Sequence, residues 1–204
     1  MNDRARRWLG GGLLICGAGL LASWLAITID GRAFQAALSR RLESIERLRR
    51  GPASPGFAHA ARHEARASGL IGRIEIPRLG ISAMVIEGTS GRALRRGVGH
   101  IERSAFPGEA GNVALAAHRD TYFRDLKDVA EGDLIRITTP DGEYAYRVDS
   151  ILVVKPDRGD LLEDAGGTEL TLVTCYPFYW VGPAPQRFVI RASQAHTVRV
   201  ARAG

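Results

Sequence analysis

Three residues far apart in the chain supply a nucleophile, a proton carrier and a fixed cation: Cys175, His118 and Arg187. Cys175 closes the run Leu170-Thr171-Leu172-Val173-Thr174-Cys175, and Arg187 follows twelve residues later. A free thiol has a pKa of about 8.5 and becomes an effective nucleophile where positive charge or an imidazole favours the thiolate. Together the three point to acyl transfer: a thiolate to attack, an imidazole to move protons, and a guanidinium to meet developing oxygen charge. A buried structural cysteine is the competing reading of the triplet taken alone.

Strands are the elements that must position these groups. Side chains alternate across a strand, so Leu170, Leu172 and Thr174 share one face while Thr171, Val173 and Cys175 share the other. Gln186-Arg187-Phe188-Val189-Ile190-Arg191 reads as a strand that runs back beside this one and brings Arg187 near Cys175. Arg191 shares the face of Arg187 but lies deeper along it, so Arg187 is the preferred oxyanion partner. Thr174 is read as lining the pocket or donating a hydrogen bond. His118 ends an apolar strand just as Cys175 does, which favours it over His100, the rival that follows Gly97-Val98-Gly99. His59 and His63 fall in a linker and His196 in the tail. Asp120 is expected to cap a helical turn rather than to orient the imidazole.

The surrounding residues extend the pattern. Thr171-Leu172-Val173-Thr174-Cys175-Tyr176-Pro177-Phe178, the later PQRFVIRA, and GNVALAAHRDTYF around His118 resemble the signatures of the sortases, cysteine transpeptidases of the bacterial cell surface. IGRIEIPRLGI, GVGH and PGEAGN add to the likeness, which covers residues 70–192. The resemblance implies a mostly β fold, a closed sortase-type β-barrel with short helices, and His118, Cys175 and Arg187 as the catalytic trio. Tyr176-Pro177-Phe178 and HRDTYF make the chain most similar to class D. The implied substrate is an exported protein with a C-terminal sorting motif of the LPXTG or LPXTA type. The implied acceptor is an amine of cell-wall peptide or protein. The apolar part of such a motif calls for an apolar groove, for which Val113, Leu115, Ile151, Val153 and Val181 are candidates, although all five suit a core equally well. Pilus-building sortases carry an Asp-Pro-aromatic lid, and residues 51–69 contain none, so an open site is expected.

Charge and hydropathy organise the rest of the chain. The formal net charge is +6, but residues 1–69 hold 11 Lys/Arg against 5 Asp/Glu whereas residues 70–204 hold 17 of each. The excess basicity therefore lies beside an apolar segment, where anionic headgroups can meet it. No basic stripe with interleaved aromatics marks residues 70–204, which argues against nucleic-acid binding. Residues 8–29 form an uncharged stretch of 22 residues, long enough for a bilayer core that needs about 20. A cleaved signal peptide has a shorter apolar region of about 7–15 residues, which favours retention. Arg4, Arg6 and Arg7 precede the stretch, so the positive-inside rule predicts a single-pass protein of the cell membrane. Its N-terminus would be cytoplasmic and its catalytic domain extracytoplasmic. Cys16 then sits in the bilayer and Cys175 outside it, which forbids a bridge between them and leaves Cys175 as an unpaired thiol.

The resulting organisation is residues 1–7 as a basic cytoplasmic N-terminus, 8–29 as a transmembrane anchor, 30–69 as a helical stalk and linker, and 70–204 as the catalytic domain. In the stalk, Phe34, Leu38, Leu42, Ile45 and Leu48 recur at helical spacing. This stripe serves equally as a spacer, a contact with the domain or a contact with a partner. Strands are expected at 72–76, 83–87, 112–117, 133–138, 143–154, 169–174 and 187–192, with a short helix after Gly88-Thr89-Ser90-Gly91 and a turn at 121–126. Short strands at this spacing fit a barrel, with up to eight strands in the family. No cofactor is expected. Glu102, Glu109, Asp157, Asp160 and Glu163 read as solvated loop residues, and no cluster has zinc spacing, so no metal is expected. A cysteine peptidase that only hydrolyses would use the same trio, although the Cys-before-His order of papain and the caspase QAC motif are absent. A Ser-x-Gly-Cys-Arg run of the L,D-transpeptidase type is missing, and a non-catalytic anchored β-domain is disfavoured by the full trio.

Overall fold

The computed structural model describes residues 3–50, 67–157 and 167–195. The linker with His59 and His63, the acidic residues Asp160 and Glu163, and the tail with His196 lie outside the described residues.

Helix α1 (Asp3–Arg50) is continuous through Asp30-Gly31, so the apolar stretch 8–29 and the stripe that begins at Phe34 lie on one helix. Its first half exposes Leu13, Leu14, Ile15, Leu20, Leu21 and Trp24. This part has a mean hydropathy of 2.0 over its most apolar window and is long and apolar enough to cross a membrane. In the second half the stripe, apart from Leu48, whose side chain lies outside the described part, faces the barrel. Leu38, Leu42 and Ile45 are buried against Leu70, Met84 and Ile86 of the barrel, with Phe34 packed alongside.

The barrel has eight strands: β1 (Leu70–Ile76), β2 (Ile81–Glu87), β3 (Val98–His100), β4 (Gly111–Ala116), β5 (Leu134–Thr138), β6 (Glu143–Val154), β7 (Thr168–Tyr176) and β8 (Gln186–Gln194). Their order around the closed sheet is β1-β2-β3-β4-β7-β8-β6-β5, with β5 pairing back to β1. Closure leaves no edge strand among the described residues. Seven strands coincide with the expected ones to within a few residues. The three-residue β3 went unpredicted because so short a run carries no periodicity. Two neighbouring pairs are parallel, β2 with β3 and β4 with β7. Parallel neighbours need a crossover. Helix α2 (Gly91–Arg96) supplies the first, capped by Ser90, whose side chain accepts from the Ala93 N–H. The β5–β6 hairpin lies within the second.

Alternation fills the barrel with Ile74, Ile76, Leu115, Ile135, Ile137, Leu170, Leu172 and Ile190. Tyr146 also lies inside, and burial raises its phenol pKa far above the ordinary value. The strand directions bring the ends of β4 and β7, the start of β8 and the start of β3 to one rim of the barrel. Below this rim α1 closes onto β2. Gln35 accepts from the Met84 N–H at 2.8 Å and donates to the Arg96 carbonyl. A Cβ on Gly97 would come within 2.7 Å of the Met84 carbonyl oxygen, so this approach requires glycine.

Candidate active site

The two strands expected to meet do so, in a register that pairs Cys175 with Arg187. On the other flank of β7, β4 runs parallel with Ala116 opposite Val173. The pairing continues beyond the strand's formal end, since the Ala117 N–H donates to the Val173 carbonyl at 3.3 Å. The same offset sets His118 beside Cys175. Val113, Leu115 and Ala117 belong to the interior cluster, so alternation turns His118 outward with Cys175 and Arg187. His118, Cys175, Arg187 and Val154 thus form one row across β4, β7, β8 and β6, on the outer face at the rim.

Each member is held by its own local chemistry. The His118 carbonyl accepts from the N–H groups of Thr121 and Phe123 at 3.4 and 3.2 Å, which turns the chain sharply after the histidine. Arg187 Nη1 donates to the carbonyls of Ala184 and Gln186, which ties one arm of the guanidinium to the loop before it. Cys175 is a free, half-buried thiol. Arg191, the deeper candidate, is occupied by Glu169 at 2.6 Å.

His100 is removed from contention. It is 1% exposed, with Nδ1 3.0 Å from Glu87 Oε2 and Nε2 3.0 Å from both the Ala105 carbonyl and Ser104 Oγ. Its ring stacks on Phe106. Pinned at both nitrogens, it braces the loop after β3. Asp120 is exposed, and the 3-10 turn (Arg124–Asp128) begins at Phe123 with no side-chain cap, so the capping role expected of Asp120 is not what the structure contains.

The proposed groove residues need revision. Val113 and Leu115 are 1% and 0% exposed inside the barrel, on the face opposite the trio, and are core side chains. Ile151 packs against the same core, whereas Val153, paired with Phe188 near the end of β6, is 44% exposed and stays outside it. Val181 is exposed on the β7–β8 loop. Thr174 is 3% exposed and donates from Oγ1 to the Ala117 carbonyl at 2.7 Å. It is therefore a cross-strand tie between the ends of β4 and β7, one residue from both Cys175 and His118. On the outer face, one step in from the trio, Ala116, Val173, Val189 and Leu152 form an apolar row over the same four strands, in which Val189 is buried and the other three are partly or well exposed. Cross-strand neighbours share a face, and that register is invisible until the strand order is known.

Arg119 was also missed. Its Nη2 donates to the carbonyls of Trp180 at 2.8 Å and Gly182 at 3.1 Å, so the residue after His118 holds the β7–β8 loop across the rim. Only its place beside His118 hinted at a role, because its acceptors are main-chain atoms.

The eight-stranded closed barrel is matched by known proteins. Residues 74–195 match the sortase domain family. The chain belongs to the sortase family. It is 38% identical over 126 residues to Sortase D of Bacillus subtilis, a match covering 61% of this chain and 62% of the relative, less than two thirds of that protein's length. A Clostridium perfringens Sortase D5 transpeptidase superposes with a TM-score of 0.65 at 26% identity, over 78% of this chain and 99% of that one. Sortase C1 of Streptococcus agalactiae gives a TM-score of 0.60 at 32% identity, over 66% and 71%. The similarity to two class D sortases agrees with the class D likeness of Tyr176-Pro177-Phe178 and HRDTYF.

Proposed function

We propose that this sortase is a membrane-anchored transpeptidase that cleaves an LPXTG- or LPXTA-like sorting motif in exported proteins and passes the acyl group to an amine. The observation that carries this reading is the row in which Cys175 pairs with Arg187 while the β4–β7 register brings His118 to the other side of the thiol. The Cys175 thiolate attacks the scissile carbonyl carbon, forming a C–S bond and an oxyanion that the free arm of Arg187 meets. His118 gives a proton to the departing amine as the C–N bond breaks, leaving a thioester. The acceptor amine then attacks the thioester, His118 takes its proton, and the thiolate is released. The apolar part of the motif lies along Ala116, Val173 and Leu152, beside the reacting carbonyl. The acceptor is an amine of wall peptide or protein.

In this reading residues 1–7 are cytoplasmic, 8–29 cross the membrane, 30–69 form stalk and linker, and 70–204 act outside. The full-length protein in nanodiscs is incubated with a motif peptide and Gly-headed, Ala-headed or diaminopimelate-containing acceptors, and products are read by mass spectrometry. A bound amine attacks effectively unimolecularly, at an effective molarity that reaches about 10⁵ M in well-oriented systems, so ligated product is expected to dominate at millimolar acceptor. Cys175→Ala abolishes both cleavage and ligation. Hydrolysis alone with every acceptor favours a peptidase, and turnover by Cys175→Ala removes the mechanism.

A further inference from the structure

We propose that the rim carrying the trio is a membrane-docking face, on which a notch between α1 and α2 binds anionic phospholipid headgroups and the tip of the β7–β8 loop enters the bilayer interface. The inference rests on the reading that the apolar half of α1 spans the membrane. The fold fixes the height of the barrel relative to that span. The uncharged stretch ends at Ile29, and α1 continues without a break. At 1.5 Å rise per residue, Asp30 and Gly31 lie within about 3 Å of the last apolar residue along the axis. These same two residues touch the barrel. Asp30 pairs with Arg96 at 3.0 Å. A Cβ on Gly31 would lie 3.4 Å from the Arg95 carbonyl and 3.8 Å from the Tyr122 hydroxyl. Tyr122 stands four residues after His118, so the loop that follows the candidate acid–base reaches the helix at the membrane boundary.

Two surfaces at this height carry side chains left exposed. The first is a cavity of about 350 Å³ lined by Ala26, Asp30, Arg92, Arg95 and Arg96. Its walls join an apolar residue of the spanning segment to three arginines. Arg96 is committed to Asp30, while Arg92 and Arg95 are exposed and form no ion pair with a described carboxylate. Guanidinium groups suit phosphate oxygens, and the position against the span selects a lipid phosphate rather than a free anion. The second is Tyr179-Trp180-Val181, exposed by 81%, 51% and 94% on an uncharged loop tip at the rim. Aromatic residues of this kind settle at headgroup level. Arg119 bonds and Trp180 Nε1 donating to Pro183 give the loop a fixed shape, so the tip is presented rather than loose. Docking turns the trio toward the membrane surface, where a membrane-held substrate or acceptor is delivered.

The chain has three tryptophans, Trp8, Trp24 and Trp180, so the test uses single-tryptophan forms of the full-length protein. Trp8→Phe with Trp24→Phe leaves Trp180. Trp8→Phe with Trp180→Phe leaves Trp24. Both are reconstituted in nanodiscs of phosphatidylcholine with phosphatidylglycerol, with or without lipid brominated along the chain, and circular dichroism confirms their fold. Trp180 is expected to lose most of its emission to bromine placed near the headgroup, and little to bromine at the chain terminus. Trp24 shows quenching from deeper positions. Arg92→Glu with Arg95→Glu, or pure phosphatidylcholine, should sharply reduce Trp180 quenching while Trp24 quenching persists. Trp24 quenched with Trp180 unquenched overturns the docking face and leaves the spanning helix intact. Trp24 unquenched overturns both. Trp180 quenched equally with reversed charges or neutral lipid overturns the headgroup notch.

Discussion

Thr174 offers the sharpest test of how the rim is held together. Its hydroxyl donates to the Ala117 carbonyl at 2.7 Å in a buried setting, linking the residue before Cys175 to the residue before His118. Thr174→Val preserves shape and removes this bond alone. A buried acceptor left without its donor costs about 1–3 kcal/mol, and the added methyl in an apolar setting offsets part of this, so a net loss of about 1–2 kcal/mol is expected. The larger effect falls on catalysis. Separation of the ends of β4 and β7 moves His118 relative to Cys175, and a displacement of about 1 Å between reacting groups can cost about 10²-fold. The single-turnover acylation rate should therefore fall by roughly 10- to 100-fold, with little change in KM because the outer apolar row is untouched. Thr174→Ser, which keeps the hydroxyl, should recover most of the rate. The assay is rapid-quench detection of the thioester with a motif peptide, together with denaturant melts of each variant. A normal acylation rate in a destabilised Thr174→Val protein would refute the positional argument, as would a serine variant no better than valine.

Three further outcomes follow from other contacts. Leu42 is fully buried between α1 and the barrel, so Leu42→Ala should destabilise the protein by about 2–5 kcal/mol in chemical denaturation and expose the 33–50 segment to protease. Arg187→Lys keeps the charge but loses the planar fork, and a lost oxyanion donor predicts roughly a 10²–10³-fold slower acylation in the same rapid-quench assay. Arg78 hydrogen-bonds Asp133 at 2.5 and 2.6 Å and holds its carboxyl below the ordinary range. The unfolded chain then binds that proton more readily, so the pair's stabilisation is complete above about pH 4 and disappears as pH falls through the lowered value. Asp133→Asn should flatten this part of the stability–pH curve, measured by thermal melts across acid pH.

Much of the candidate site's geometry was legible in the sequence. Alternation in Leu170 to Cys175, the strand after Gln186 and the apolar run before His118 place three chemical groups at strand ends, and the fold leaves them there. Which apolar side chains face outward was not legible. Val113 and Leu115 are as hydrophobic as any groove residue, and only the inward turn of β4 shows that they fill the core. Their outward neighbours Ala116 and Val173 become a surface only through pairing with β8 and β6. His100 and His118 likewise differ less in their local sequence than in their neighbours, Glu87 and Ser104 for one and Cys175 across the β4–β7 register for the other.

What the sequence alone determines here is local and periodic: the apolar span, the helical stripe at Phe34, Leu38, Leu42 and Ile45, strand alternation, and the chemistry of a lone thiol near an arginine. These follow from side-chain type and from the 3.6- and 2-residue periods of the backbone. Tertiary structure decides everything that depends on which strands become neighbours. The parallel β4–β7 register brings His118 to Cys175, and closure of the sheet separates core from outer face. The Thr174–Ala117 and Arg119–Trp180 bonds lock the rim, and the docking of α1 on β2 sets its height above the apolar span. Register and docking arise from contacts between distant segments, and no local pattern encodes a partner that lies elsewhere in the chain.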